Sequence, residues 1–148
     1  MFKMALASFV VLLALAFTPA FAQQAAFGQP EMVVHLTKFT NGIHEAFMAT
    51  ELADHLQQSG AKVTLFLDVE GVRAADMNQP NNLHFGLDNT TYADIYNQFI
   101  KDGGVVIVCP GCAADAGVTK LRPGAHFANP ASKEVPKLLM RAKNVIDY

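Results

Sequence analysis

The segment that most restricts the possible folds is Val105–Cys109, VVIVC. Four β-branched residues run together with no polar interruption. A strand with one face in water alternates apolar and polar residues, and this one does not. It reads as a strand covered on both faces, the usual situation inside a parallel sheet. Met32–Leu36 (MVVHL) and Lys62–Asp68 (KVTLFLD) are near-continuously apolar and read as strands too.

Helical patterns separate these runs. Ile43, Ala46, Phe47, Ala53 and Leu56 form one apolar stripe, with Gly60 placed to close it as a left-handed cap. Thr91-x-x-Asp94 has the form of a capping box. Behind it, Tyr92, Ile95, Tyr96, Phe99 and Ile100 fall on one helical face, ended by Gly103-Gly104. Glu70–Asp76 has room for a short helix, and Met77–Asn89 reads as a long mobile loop. Cys112–Ala116 reads as the first turns of a helix stopped by Gly117. Ala125–Ala128 suits a short strand. Val135, Leu138, Leu139 and Ala142 mark a last amphipathic helix, with Pro136 in its first turn, and Val145–Tyr148 suits a terminal strand. The alternation predicts an α/β domain, a mostly parallel sheet of about five strands between helices. Chemistry in such folds gathers at the carboxyl ends of the strands.

The amino-terminal segment is read as an address. Residues 1–22 comprise Lys3, an apolar run over Ala5–Phe17, and the small-x-small triplet Ala20-Phe21-Ala22. That pattern is expected of a secretory signal peptide, and the run is shorter than the ~20 residues needed to span a bilayer. Residues 23–30 read as a flexible lead-in and 31–148 as one domain. Losing Lys3 takes the net charge from −2 to −3. The expectation is a periplasmic protein with no stable membrane insertion after cleavage. Its charge gives no footprint for nucleic acid.

Two cysteines carry the chemical interest. Cys109 ends the most apolar strand and is followed by Pro110, Gly111 and Cys112. A thiol ahead of a helix N-terminus meets unpaired N–H groups that favour its thiolate form. A tight turn at Pro110-Gly111 brings the two sulfurs close. The C-x-x-C spacing admits four readings: a dithiol redox pair, a sulfur-carrying Cys109 resolved by Cys112, a structural disulfide, or half of a metal site. No second C-x-x-C supplies the remaining zinc ligands, so neither metal nor cofactor is expected. The order CPGC, and the two βα units before it, depart from a thioredoxin.

Of the five histidines, His44 opens the first long helix near the end of strand one and is the candidate to share the cysteine crevice. His35 reads as a satisfied core histidine and His55 as a solvent-side helix residue. His84 in the loop and His126 in the short strand are weaker candidates. Asp68 and Glu70 reach the same crevice side, where capping the next turn is their expected work. No phosphate-cradling glycine loop and no G-x-S-x-G are present.

VVHLT, ATELADHLQQSGAKVTLFLDVEGV and FIKDGGVVIVCPGCAADAGV together resemble the DsrE/DsrF-like family, which includes sulfur-relay subunits of the TusD type. The resemblance spans roughly Met32 to Tyr148. It implies a three-layer α/β/α fold on a parallel five-stranded sheet, Cys109 as the sulfur-carrying position, and assembly as a trimer or hexamer. The chain departs from TusD-type subunits in its leader, in a second thiol at Cys112, and in Asp115-Ala116 where some carry a basic pair. The leading expectation is an exported thiol protein. Cys109 with Cys112 would carry persulfide sulfur or do dithiol redox work, with a sulfur-donor or thiol-bearing protein or small thiol as partner. The other expectation is a non-catalytic oligomeric binding module with a structural Cys109–Cys112 disulfide.

Overall fold

In the computed structural model, residues 28–86 and 89–148 are described; the expected leader, 1–22, lies outside them. Residues 28–30 have no regular structure. Five strands follow: β1 (Glu31–Leu36), β2 (Lys62–Leu67), β3 (Val105–Val108), β4 (Ala125–Phe127) and β5 (Asn144–Asp147). Four α-helices join them: α1 (Ile43–Gln58), α2 (Tyr92–Lys101), α3 (Pro110–Asp115) and α4 (Glu134–Arg141). A 3-10 turn, Gly71–Ala75, leaves β2. Every strand pairing is parallel, in the order β4-β3-β2-β1-β5.

The α/β architecture expected from the alternation is the one observed. From β1 to β4 each crossover steps in one direction, so its helix lies on one face. The return from β4 to β5 runs the other way and puts α4 on the opposite face. The burial pattern follows this division. Val34, Leu36, Val63, Leu65, Val106 and Val108 point into a large core with Ala46, Ala53, Tyr92, Tyr96 and Phe99 of α1 and α2. Val33, Phe66 and Ile107 point the other way, against Leu138 of α4. β3 therefore needed no polar positions, because both its faces are covered.

Local expectations fare well where the cause is local. Gly60 adopts φ 93° after α1, and the Thr91–Asp94 capping box is complete. Pro136 sits in the first turn of α4. One element differs: α3 begins at Pro110, with Cys109 itself as N-cap. Pro110-Gly111 is thus helical, because proline is pre-organised for the first helical position. Between Asp76 and Thr91 the described residues hold only isolated bridges, Asp76 with Leu121 and His84 with Thr91. Buried Arg122 fastens this segment, donating to Asn81 Oδ1 at 3.0 Å and to the Gln79 carbonyl at 3.1 Å. Among the described residues no helix is long and apolar enough to cross a membrane.

Candidate functional site

Cys109 is fixed by the strand it ends. Its N–H donates to the Leu67 carbonyl of β2 at 2.9 Å, one step beyond the β2–β3 register. Its carbonyl accepts from Ala113 N–H, and its Sγ accepts from Cys112 N–H at 3.5 Å. The side chain of an N-cap meets one of the orphan donors of the first turn, and here that side chain is a thiol.

Cys112, one helical turn later, faces the same sulfur. Both thiols are free and part-buried. The contact with Cys109 raises the Cys112 pKa first, and burial and the negative charge of Asp68 add to this. The Val69 N–H, donating to the Cys112 sulfur, pulls the other way without reversing the sign. Cys112 therefore holds its proton more tightly than an ordinary thiol. Val69 presents that N–H from a left-handed backbone, φ 47°, which is uncommon for a β-branched residue.

The two thiols line different clefts. Cys109 lines one of about 430 Å³ with Phe66, Ala128, Pro130, Val135 and Pro136, so its walls are largely apolar. Lys133 and Glu134 stand there too. Cys112 lines another of about 390 Å³ with Val69, Glu70, Asp115 and Ala116.

Beside the thiols, a histidine is held between two carboxylates. His35 Nδ1 lies 2.7 Å from Asp147 Oδ1, a hydrogen bond, and Nε2 lies 2.9 Å from Asp68 Oδ1. The second is an ion-pair separation, and among the described residues its two atoms have no other polar partner. The His35 ring stacks on Phe66, centroids 5.1 Å apart. Burial pushes the His35 pKa down, but Asp147 and Asp68 outweigh it and leave it raised. His35 is thus a part-buried bridge between carboxylates rather than an enclosed core residue.

Asp68 was expected to cap a turn; its partner is His35. Glu70 does hold a turn, though the preceding one. The Thr40 hydroxyl, then N–H groups of Phe39, Asn41 and Thr40, keep its carboxyl below the usual range. His44 is stacked on Phe85 at 4.3 Å and is not among the residues lining either thiol's cleft. His55 is exposed, as expected. His84 is bridged to Thr91, and His126 Nε2 lies 2.8 Å from Glu134 Oε1. Sequence reasoning missed Asp147 and Val69, since neither carries a local signal. Among the described residues no group of three or more His, Cys, Asp or Glu is placed to hold a metal ion.

No family model matches the chain, and no curated protein matches it. Solved structures do. One is the crystal structure of the ychN protein from E. coli, TM-score 0.65 at 18% identity, with 81% of this chain and 99% of that one covered. At that identity the likeness extends to the fold alone, and it agrees with the α/β architecture and parallel five-stranded sheet expected above.

Proposed function

We propose that this chain is an exported thiol protein that carries persulfide sulfur on Cys109, with Cys112 as the resolving thiol. One observation carries the reading. Two free thiols share a helical turn at the end of β3, and they are placed unequally: Cys109 Sγ receives a backbone N–H and opens on an apolar cleft, while Cys112 opens on a second cleft and has its pKa raised by the contact with Cys109 and by burial. A nucleophile and a second thiol that waits are what a two-step transfer needs.

In the first step the Cys109 thiolate attacks the outer sulfur of a donor persulfide, R–S–SH. The inner S–S bond breaks, R–S⁻ leaves, and Cys109–S–SH forms. An acceptor thiolate then takes the outer sulfur and returns Cys109 to the thiolate. Alternatively Cys112 loses its proton and attacks Cys109 Sγ, giving the Cys109–Cys112 disulfide and HS⁻. The DsrE-like fold supports this reading, as does the match of VIVC and Gly117-Val118 to that family's pattern. Cleavage after Ala22 and assembly into a trimer or hexamer belong to the same proposal.

Intact-mass measurement after treatment with a small persulfide tests it. A gain of about 32 Da, one sulfur atom, is expected in Cys112→Ser and not in Cys109→Ser, while wild type shows either that gain or, once Cys112 resolves it, a loss of about 2 Da with sulfide released. Equal adducts in Cys109→Ser and Cys112→Ser, or neither change in wild type, overturn it. The binding-module reading differs in outcome: inert thiols and a large loss of stability on reduction of a Cys109–Cys112 disulfide.

A further inference from the structure

The two thiols are one helical turn apart, with Cys112 N–H donating to Cys109 Sγ, yet they line separate clefts of different chemistry. Around Cys109 the wall is Phe66, Ala128, Pro130, Val135 and Pro136. Its two charged residues, Lys133 and Glu134, have opposite signs, and Glu134 is engaged with His126 and the Asn129 N–H. That cleft offers apolar contact and little net charge.

Around Cys112 acidic groups outnumber basic ones. Glu70 and Asp115 both line the cleft, and the charge of Asp68 reaches the Cys112 sulfur. Positive groups on this side are Arg73, whose Nε lies 3.7 Å from Glu70 Oε1, and His35, which engages Asp68 from the far side. Asp115 is exposed, at the end of α3.

We infer that the two thiols meet different reagents: an uncharged, apolar sulfur donor reaches Cys109, and a neutral or cationic thiol reaches Cys112 through the acidic cleft. The inference rests on the sulfur-transfer reading for its purpose, since that reading leaves a Cys109–Cys112 disulfide to be reopened. A thiolate R′–S⁻ arriving in the acidic cleft attacks Cys112 Sγ, the S–S bond breaks, and Cys109 leaves as thiolate. A second R′–S⁻ attacks the R′ sulfur of the mixed disulfide, giving R′–S–S–R′ and free Cys112. The two electrons come from two thiols. An anionic thiol is repelled at the first of these steps. Separate openings also keep the reductant away from the loaded Cys109 persulfide, which it would otherwise discharge.

Charge-matched thiol reagents test this without any sulfur transfer. Trimethylammonioethyl (cationic), sulfonatoethyl (anionic) and benzyl (apolar) methanethiosulfonates are reacted with Cys109→Ser and Cys112→Ser proteins under reducing pretreatment. Each labels by thiolate attack on the sulfenyl sulfur, with methanesulfinate leaving. The cation-to-anion rate ratio is expected to be about fivefold or more higher at Cys112 than at Cys109, from two carboxylates within a Debye length. It should fall with added salt and in Asp115→Asn. Cys109 is expected to prefer the benzyl reagent. Substoichiometric labelling of wild type, with the modified cysteine located by peptide mass, gives the same comparison without a cysteine variant. Equal ratios at the two thiols, or a ratio unmoved by Asp115→Asn and by salt, overturn the inference. A failed persulfide experiment beside unequal ratios overturns only the sulfur-transfer reading.

Discussion

Gly71 and Gly111 flank the thiol site and should respond to the same substitution with opposite signs. Gly71 opens the 3-10 turn beneath the end of β1. A Cβ built there falls 2.0 Å from the Leu36 carbonyl oxygen, 2.7 Å from its carbon and 3.1 Å from Thr37 N. Real Cβ contacts essentially never come under 3.0 Å, and these neighbours are backbone. The turn and β1 must part by about 1 Å, an overpacking that costs about 1–3 kcal/mol. The N–H groups of Glu70 and Gly71 both donate to the Thr37 carbonyl, at 3.1 and 3.0 Å. Stretching these two bonds adds about 0.5–1.5 kcal/mol each. Gly71→Ala should therefore lose about 2–6 kcal/mol, a fall in Tm of about 8–24 °C for a domain of this size. Gly111 lies in the first turn of α3, with no heavy atom within 4 Å of an added Cβ. There Gly111→Ala should gain about 0.4–1 kcal/mol by narrowing the unfolded ensemble. Urea unfolding of both variants at one pH, fitted with a common m, makes the comparison. A Gly71→Ala protein within 1 kcal/mol of wild type, or a Gly111→Ala protein that loses more than that, would refute the reasoning.

His35 gives a pH signature. Its folded pKa is raised, so the stability it contributes is fully present below its ordinary value and is lost as pH rises through the folded one. Stability measured by urea unfolding across the histidine range should fall toward alkaline pH in wild type, and His35→Gln should flatten that part of the profile; an unchanged slope counts against the bridge. Arg122→Ala removes the donors to Asn81 and Gln79 and the guanidinium 6.0 Å from the Tyr96 ring centroid. A loss of about 2 kcal/mol is expected, together with faster limited proteolysis between Met77 and Asn89; proteolysis at the wild-type rate would show that Arg122 does not fasten this segment.

What could be read from the sequence was what local chemistry decides. VVIVC demanded cover on both faces, and the structure supplies it from α1–α2 and from α4. Thr91 and Asp94 needed only each other. The Cys109-to-Cys112 turn was legible as a close approach, although proline at the first helical position lengthened α3 beyond the expected start. The carboxylates were not legible. Asp147 meets His35 only because β5 returns to pair with β1, and no local pattern states that order. Asp68 looked like a turn cap because its neighbours in sequence are turn residues; its partner is one strand away. His44 was placed at the right end of the sheet, but α1 turns its second residue toward Phe85.

Val69 shows how the site is held together. Its φ of 47° costs a β-branched residue about 1–2 kcal/mol, and its side chain is 62% exposed, so little burial offsets that strain. The neighbours impose the conformation: Asp68 N–H bonds to the Leu36 carbonyl, Glu70 and Gly71 bond to Thr37, and Gly71 lies against β1. The same twist aims the Val69 N–H at the Cys112 sulfur. Val69→Gly should remove the strain while adding about 0.5–1 kcal/mol of unfolded-state entropy, leaving stability equal to wild type or higher by up to about 1.5 kcal/mol. The N–H is then less firmly aimed, the Cys112 thiolate loses support, and Cys112 should label more slowly at a given pH while Cys109 keeps its rate. A stability loss above about 1 kcal/mol would mean the conformation is not strained. An unchanged Cys112 rate would mean that the N–H does not serve the thiol, and that the left-handed residue belongs to the turn alone.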